Sequence, residues 1–308
     1  MEKKVKRAHA LFSLHGADTM QNGMPNEDEH VIEAIGRCRV VIRDGEVVEV
    51  GPPRISRCPL ARRFAHPVDP ITQAAVKENI EHRIRSFGMC TDRRKVLMDT
   101  EFVGFGASEL LRFALLSHTI DCAVIVCDGA GTIITTNPDL VQGVGGRMSG
   151  LVSTCPIPDV ISRIEENGGH VIDHSDASID QPAGVGRARA LGFLRIGVTV
   201  TTADEALAIR ELESDAIIIA VHTTGFSREE AEMLARSADI LTACASSAIR
   251  EVAGRSALLQ AGSSIPVFAM TEKARDLVLD KIRKDPGQVV VMGAKLPYSG
   301  DNCPEPLV

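Results

Sequence analysis

AIIIAVHTTG, at residues 216–225, is the stretch of sequence that decides the fold. It is a short apolar run, rich in β-branched side chains, that ends in a small polar cluster and is followed by a helical pattern. The same design recurs as RIGVTVTT at 195–202, ILTACASS at 240–247 and PVFAMT at 266–271. Strands that alternate with helices form a parallel sheet. The sequence therefore predicts an α/β fold with a mainly parallel, Rossmann-like sheet and flanking helices.

The polar clusters are expected to share one edge of this sheet, because right-handed crossovers bring the carboxyl ends of parallel strands together, where ligands bind. On this rim, His222 is a candidate acid or base and Cys244 a candidate nucleophile. The alternative for His222 is a hydrogen-bonded structural histidine that caps the next helix. The rim is predicted to contain Thr201, Thr202, His222, Thr223, Thr224, Cys244, Ser246, Ser247 and Thr271, of which Thr223, Thr224 and Ser246 are candidate ligand contacts.

Two glycine-rich segments are candidates for binding a nucleotide-like or other small anionic ligand. GVGGRMSG at 143–150 permits close backbone approach, and its arginine could hold a phosphate or carboxylate; the alternative is a mobile connector. DGAGT at 128–132 follows an apolar strand and offers backbone N–H groups to an anion; the alternative is a plain hairpin turn. The candidate residues are Gly143, Gly145, Gly146, Arg147, Ser149 and Gly150 in the first segment and Asp128, Gly129, Gly131 and Thr132 in the second.

Residues 1–98 differ from the rest of the chain and predict a smaller, irregular subdomain, followed by an α/β ligand-binding domain over 99–308. The first part is rich in proline and arginine. Its clearest element is a β-hairpin over 38–50, in which Asp44-Gly45 supplies the two residues of a type I′ turn.

The irregular part contains three cysteines, Cys38, Cys58 and Cys90, that are candidate ligands of an iron–sulfur cluster or of zinc. Metal binding can supply the folding energy that a small core lacks. Their spacing matches no compact metal motif, and the alternative is scattered buried thiols. A fourth ligand is left open, with Cys127, Cys155, Cys244 or an exogenous group as the candidates.

Composition excludes several classes of protein. The formal net charge is -7 and aromatic residues make up only 3% of the chain, which argues against a dedicated nucleic-acid binder. No apolar run approaches the roughly 20 residues of a membrane span, and no signal peptide is expected at the start. We therefore expect a cytoplasmic protein with reduced cysteines.

Several of these segments together resemble one family. They are Cys38–Val41, Asp44–Gly51, Cys58-Pro59, Asp128–Thr132, Val141–Gly150 and His222–Gly225, and they resemble the methanogenesis marker protein 8 family, a domain of unknown function in methanogenic archaea. The resemblance implies a cytoplasmic archaeal protein linked to methanogenesis, with methanogenesis enzymes as partners and a role in the maturation or activation of methyl-coenzyme M reductase. It implies no catalytic residue.

Three functions stay open at this point. The first is an accessory factor with a metal or cluster on the N-terminal cysteines and a small anionic ligand at the rim. The second is a metal-free enzyme that acts on a nucleotide or phosphorylated metabolite with His222 as acid or base. The third is a non-catalytic scaffold that binds a partner protein.

Overall fold

The computed structural model describes residues 28–147, 150–285 and 287–308. The strands in these ranges are β1 (Glu29–Glu33), β2 (Arg39–Arg43), β3 (Glu46–Val50), β4 (Cys122–Cys127), β5 (Gly131–Thr135), β6 (Gly150–Ser153), β7 (Gly169–Val171), β8 (Ile196–Val200), β9 (Ile217–Ala220), β10 (Ile240–Thr242), β11 (Leu259–Ala261) and β12 (Val267–Ala269). The helices are α1 (Gln73–Phe87), α2 (Ala107–Leu116), α3 (Pro138–Gly145), α4 (Pro158–Glu166), α5 (Gln181–Ala190), α6 (Ala203–Leu212), α7 (Arg228–Ser237), α8 (Ser247–Ser256) and α9 (Glu272–Lys284).

The larger sheet has eight strands in the order β11-β12-β10-β9-β8-β4-β5-β7. Its central strands β10, β9, β8 and β4 are parallel, while the pairings on both flanks are antiparallel. The predicted α/β class with flanking helices is confirmed, but the large sheet is mixed rather than mainly parallel, with three parallel pairings at its centre and four antiparallel pairings on its flanks.

Helices cover both faces of this sheet because successive strand residues point to opposite sides. In β9, Ile217 and Ile219 pack into the cluster that includes α2, α3, α4 and α9. Ile218 and Ala220 pack into the cluster that includes α5, α6, α7 and α8. All four strand residues are buried, which explains why the run is continuously apolar rather than alternating.

The smaller sheet is antiparallel, in the order β3-β2-β1-β6. The predicted hairpin is confirmed as β2 and β3, and Asp44 and Gly45 have the positive φ angles of a tight turn, 50° and 72°. The fourth strand, β6, comes from the chain beyond residue 99 and brings Leu151 into the core of the N-terminal part. This β1–β6 pairing joins the two segments that carry the site below.

One expected rim residue lies at the opposite edge of the large sheet. Strand β12 runs antiparallel to β10, so Thr271 at its end lies beside the start of β10. Its hydroxyl donates to Asp239 Oδ1 at 2.7 Å, and Asp239 directly precedes β10. The prediction that Thr271 shares the rim is wrong, because a local apolar run does not encode the direction of a strand.

Within the described residues, no helix combines the length and the apolar composition that a bilayer crossing requires.

Candidate metal centre

Three side chains of different chemistry converge on one point. His30 Nε2 lies 3.1 Å from Asp28 Oδ1 and 3.5 Å from Cys155 Sγ, and Cys155 Sγ lies 3.4 Å from Asp28 Oδ1. Among the described residues, these three form the group of His, Cys, Asp or Glu side chains that could hold a metal ion. Imidazole, thiolate and carboxylate are the donors that zinc sites use.

The β1–β6 pairing brings the three ligands together. Asp28 and His30 are two residues apart at the start of β1, so they face the same side of the strand. Cys155 follows β6, whose Ser153 is the partner of Val31 in β1. Antiparallel neighbours therefore place the residues after β6 next to those that begin β1.

A hydroxyl behind the histidine fixes its orientation. Thr154 Oγ1 lies 2.5 Å from His30 Nδ1, accepts the backbone N–H of Gly129 at 2.8 Å and lies 3.4 Å from Cys155 O. A proton on Nδ1 can then point at Thr154, and the Nε2 lone pair faces Asp28 and Cys155. A hydrogen bond of this kind to the second ring nitrogen is the usual support of a metal-binding histidine.

The turn after β4 supports this hydroxyl and is itself held by a buried ion pair. Arg94 Nε donates to both carboxylate oxygens of Asp128, at 2.9 and 3.1 Å, and neither side chain is exposed to solvent. Asp128 Oδ2 also accepts the backbone N–H of Cys90 at 2.6 Å. Gly129 has φ +80°, and a Cβ there would lie 2.9–3.1 Å from the side chain of Ile157, so the turn that donates to Thr154 favours glycine.

Two of the three ligand residues, Asp28 and Cys155, border a pocket of about 580 Å³, and His30 lies buried behind them. The hairpin turn between β2 and β3 forms one wall, and residues 90–93 and 155–158 form the others. Of the described residues in the lining, Asp28, Asp44, Glu46 and Asp92 contribute carboxylates, and Arg93 contributes a guanidinium. This balance of charge favours the entry of cations.

In the protein without metal, burial is the largest influence on the pKa values of His30 and Cys155. Burial lowers the pKa of His30, which the Asp28 carboxylate partly offsets. Burial and the neighbouring Asp28 raise the pKa of the Cys155 thiol to about 11. A bound divalent cation would supply the positive charge that a thiolate next to a carboxylate lacks.

The cysteines predicted as metal ligands do not form a group of this kind. Cys38 and Cys58 are buried in the hydrophobic core of the N-terminal part, where burial raises the pKa of both thiols. Cys90 is also buried, but it lines the same pocket as Cys155. Of the cysteines that the sequence suggested, Cys90 therefore lies in the wall of this pocket, and Cys155, which was one of several open candidates for a fourth ligand, belongs to the group of three.

The segment 143–150 is mostly not an open loop. Gly143 and Gly145 lie in α3, which ends at Gly146. A Cβ at Gly143 would lie 2.1 Å from the backbone oxygen of Val96, so close helix packing explains this glycine. The guanidinium of Arg147 lies over the ring of Phe87 at 5.1 Å, and Arg94 lies at the same distance. Ser149 lies outside the described residues.

In the second glycine-rich segment, the side chains act within the fold. Asp128 pairs with Arg94 as described, and Gly131 and Thr132 begin β5. The hydroxyl of Thr132 donates to Gln181 Oε1 at 2.9 Å. The side chains of this segment therefore form hydrogen bonds with neighbouring parts of the fold, and their role is structural.

At the rim, the small polar residues complete local structure. Thr223 donates to Thr242 O at 2.6 Å, Thr224 Oγ1 accepts the N–H of Ala245 at 3.2 Å, and Ser246 caps α8 by accepting from Ile249 N. His222 and Cys244 both have positive φ, 56° and 46°. His222 lines a second cavity together with Gly145 and Gly150, and Cys244 does not.

Sequence reasoning missed Asp28, His30 and Thr154. One signal was present: an Asp-x-His spacing at the start of a strand places both side chains on one face. The partner Cys155 is followed by proline, as are Cys58 and Cys303, so this feature does not single it out.

Comparison with known proteins identifies relatives of the chain. The model of the family described as "uncharacterized protein conserved in archaea" (DUF2099) matches residues 30–283. An uncharacterized protein of Methanocaldococcus jannaschii is 44% identical over 284 residues, which cover 91% of this chain and 100% of the relative.

Proposed function

This chain belongs to the archaeal family DUF2099, and we propose that it is a metalloprotein that holds one divalent ion, with zinc as the best match, between Asp28, His30 and Cys155. The single observation that carries this proposal is the triangle of ligand atoms, with sides of 3.1, 3.4 and 3.5 Å. Ligands at 2.0–2.3 Å from a tetrahedral ion lie roughly 3.3–3.8 Å from one another. The triangle therefore needs only small adjustments to receive zinc.

The mixed donor set favours a single ion over an iron–sulfur cluster. Clusters are held mainly by cysteine thiolates, and only one cysteine, Cys155, belongs to the triangle. Cys90 in the same pocket wall is available to an enlarged site, which metal analysis will distinguish by its iron and sulfide content.

A site with three protein ligands, two of which, Asp28 and Cys155, face an open pocket, is typical of catalytic rather than structural zinc sites, which close all four positions. An ion bound here would supply a Lewis acid and an activated water. The protein would orient His30 through Thr154, and the pocket walls would position the substrate. We accordingly propose a metal-dependent enzyme, with the acidic lining of the pocket drawing cations towards the site.

The competing function is a metal-free enzyme with Cys155 as its nucleophile, because Asp, His and Cys side chains also form catalytic triads. In a triad the acid contacts the ring nitrogen that does not face the nucleophile. Here Asp28 and Cys155 both contact Nε2 of His30, and Nδ1 faces Thr154. This arrangement suits three ligands around one ion better than a proton relay.

A place in methanogenesis is the finer part of the proposal. The relative from M. jannaschii, a methanogen, and the sequence motifs that resemble methanogenesis marker protein 8 support it. Participation in the maturation or activation of methyl-coenzyme M reductase follows from that resemblance alone.

The test is metal analysis of protein purified without oxygen and then loaded with Co²⁺. We expect about one ion per chain and a charge-transfer absorption from the thiolate to cobalt. The Cys155→Ser variant is expected to lose that absorption and His30→Gln to bind cobalt weakly. Cys58→Ser and His174→Gln, which change a buried thiol and an exposed imidazole outside the triangle, serve as matched controls.

Two results would overturn the proposal. One is protein that stays free of metal after reconstitution with zinc, cobalt or iron. The other is a cobalt spectrum that is identical in the wild type and in Cys155→Ser.

A further inference from the structure

A second cavity, which we call the rim cavity, lies at the carboxyl ends of three parallel strands. It has a volume of about 110 Å³ and is lined by Val126 from β4, Thr201 after β8 and His222 after β9. The connectivity reverses at this place, because β5 lies on one side of β4 and β8 on the other. In open α/β sheets, ligands bind at such a switch point.

The lining of the rim cavity is mostly apolar. The apolar side chains include Leu111, Ile125, Val126, Val141, Leu151, Ile179 and Val221. Among the residues that the structure describes, the lining includes no lysine or arginine, and Glu205 contributes its one carboxylate. Arg147, which the sequence suggested as an anion ligand, is not part of it. A phosphate or carboxylate would thus enter without a cationic partner, which is costly in a partly buried site.

Most polar groups of the lining already have partners. The amide nitrogen of Gln181 donates to the backbone oxygens of Val124 and Thr199. Ser108 donates to Glu109 Oε2. Glu205 Oε2 accepts the backbone N–H groups of Thr201 and Thr202 as part of the cap of α6. These groups shape the cavity and leave little capacity for a charged ligand.

The imidazole of His222 is different. Neither of its ring nitrogens has a hydrogen-bond partner among residues 28–147, 150–285 and 287–308, and the side chain is partly buried. Its ring faces Gly150, where a Cβ would lie 3.1 Å from Nδ1. His222 lines the cavity, so a ligand there can form a hydrogen bond with this ring without breaking one that already exists in the described part of the chain.

We propose that the rim cavity binds one small uncharged molecule through a hydrogen bond to His222. An apolar cavity of about 150 Å³ holds benzene. The rim cavity, at about 110 Å³, therefore suits an apolar body of about four to six non-hydrogen atoms with a single polar head. This site is independent of the metal centre, and neither proposal depends on the other.

The experiment uses three probes that share one four-carbon body and differ in the charge of the head: butyramide, butyrate and butylammonium. Binding to the full chain is followed by saturation-transfer NMR and by the ring resonances of labelled His222. We expect butyramide to bind and shift the His222 resonances, and each charged probe to bind at least about tenfold more weakly.

Two variants locate the binding. Gly150→Ala places a methyl group against the imidazole and should weaken butyramide binding by about tenfold or more. Gly186→Ala, at an exposed helical position with nothing within 4 Å, should leave binding unchanged. His222→Asn tolerates the left-handed backbone, withdraws the ring, and tests the same site if Gly150→Ala does not fold.

The proposal is overturned if butyrate binds as tightly as butyramide, or if none of the probes binds at millimolar concentration. Butyramide binding that persists undiminished in folded Gly150→Ala or His222→Asn also overturns it.

Discussion

His30 Nε2 and Cys155 Sγ lie 3.5 Å apart although 125 residues separate them in the sequence. The contact depends on the antiparallel pairing of β1 with β6, in which Glu33 is the partner of Gly150. This site therefore forms only when β6, from the later part of the chain, pairs with β1 of the N-terminal sheet. Metal binding should therefore stabilise the folded protein, since the unfolded chain does not bring the ligands together.

The first prediction concerns Thr154, which lies 2.5 Å from His30 Nδ1. Thr154→Val keeps the shape of the side chain but removes the hydroxyl that orients the imidazole. We expect zinc affinity to fall by about 10–100-fold, measured by competition with a chromophoric chelator. Thr154→Ser retains the hydroxyl and should bind within a few-fold of the wild type. Equal affinity of all three proteins would show that Thr154 does not position His30.

The second prediction concerns the fully buried pair Arg94 and Asp128. Removing one partner leaves an uncompensated charge in the interior, so Arg94→Met or Asp128→Leu should each lower the free energy of unfolding by about 3–5 kcal/mol. The double variant should recover part of this loss, because it buries no lone charge, although the N–H of Cys90 and the backbone oxygen of Gly143 lose their partners. Urea unfolding measures all three.

An exposed pair provides the control for this cycle. Arg228 and Glu232 lie one helical turn apart on α7, 3.0 Å from each other, and replacing either should change the free energy of unfolding by less than about 0.5 kcal/mol. If replacing Arg94 or Asp128 changes the free energy of unfolding as little as replacing Arg228 or Glu232, burial does not make the first pair important for stability.

The third prediction distinguishes two helical glycines. Gly143→Ala would place its methyl group 2.1 Å from the backbone oxygen of Val96, which forces α3 away from the neighbouring segment and should lower the melting temperature. Gly186→Ala in α5 meets nothing within 4 Å and should stabilise the protein by about 0.5–1 kcal/mol, since alanine is the better helix former. A neutral Gly143→Ala would restore the alternative that this glycine is kept for a ligand.

Local patterns were sufficient for much of the fold. The apolar run at 217–220 and the polar cluster after it predicted a central strand of a parallel sheet, and Asp44-Gly45 predicted a hairpin turn, because both signals lie within a few residues of each other. The spacing of Ser227 and Glu230, three residues apart before a helical pattern, is typical of a capping box, and the structure has this capping box at the start of α7.

Long-range relationships were not accessible in this way. The run at 266–270 has the same composition as the parallel strands, yet β12 is antiparallel, because strand direction depends on how the chain returns to the sheet. The metal triangle depends on the β1–β6 register, which no local pattern of residues 28–30 or 155 encodes. The position of Cys38 and Cys58 in the irregular N-terminal part suggested a metal site, but their side chains pack in the core instead.

The last prediction is a dependence of stability on pH that arises from His222. Burial lowers its pKa in the folded protein; Glu33 opposes this effect and Arg37 adds to it. Above the ordinary histidine pKa of about 6.5, both folded and unfolded states are neutral and His222 contributes no pH dependence. As the pH falls below that value, the unfolded chain takes up a proton that the folded protein does not, so stability is lost. The loss stops growing once the pH reaches the lower pKa of the folded state.

His222→Asn isolates this contribution, because it removes the titrating ring and leaves the other histidines in place. We expect the wild type to lose more free energy of unfolding than the variant between pH 7 and pH 5, measured by urea unfolding at several pH values. Parallel curves for the two proteins would mean that His222 titrates alike in the folded and unfolded chains, which contradicts its burial against Gly150. When the amide N–H of butyramide donates to the unprotonated ring nitrogen of His222, it should steepen the wild-type curve, since a donor at that nitrogen disfavours its protonation.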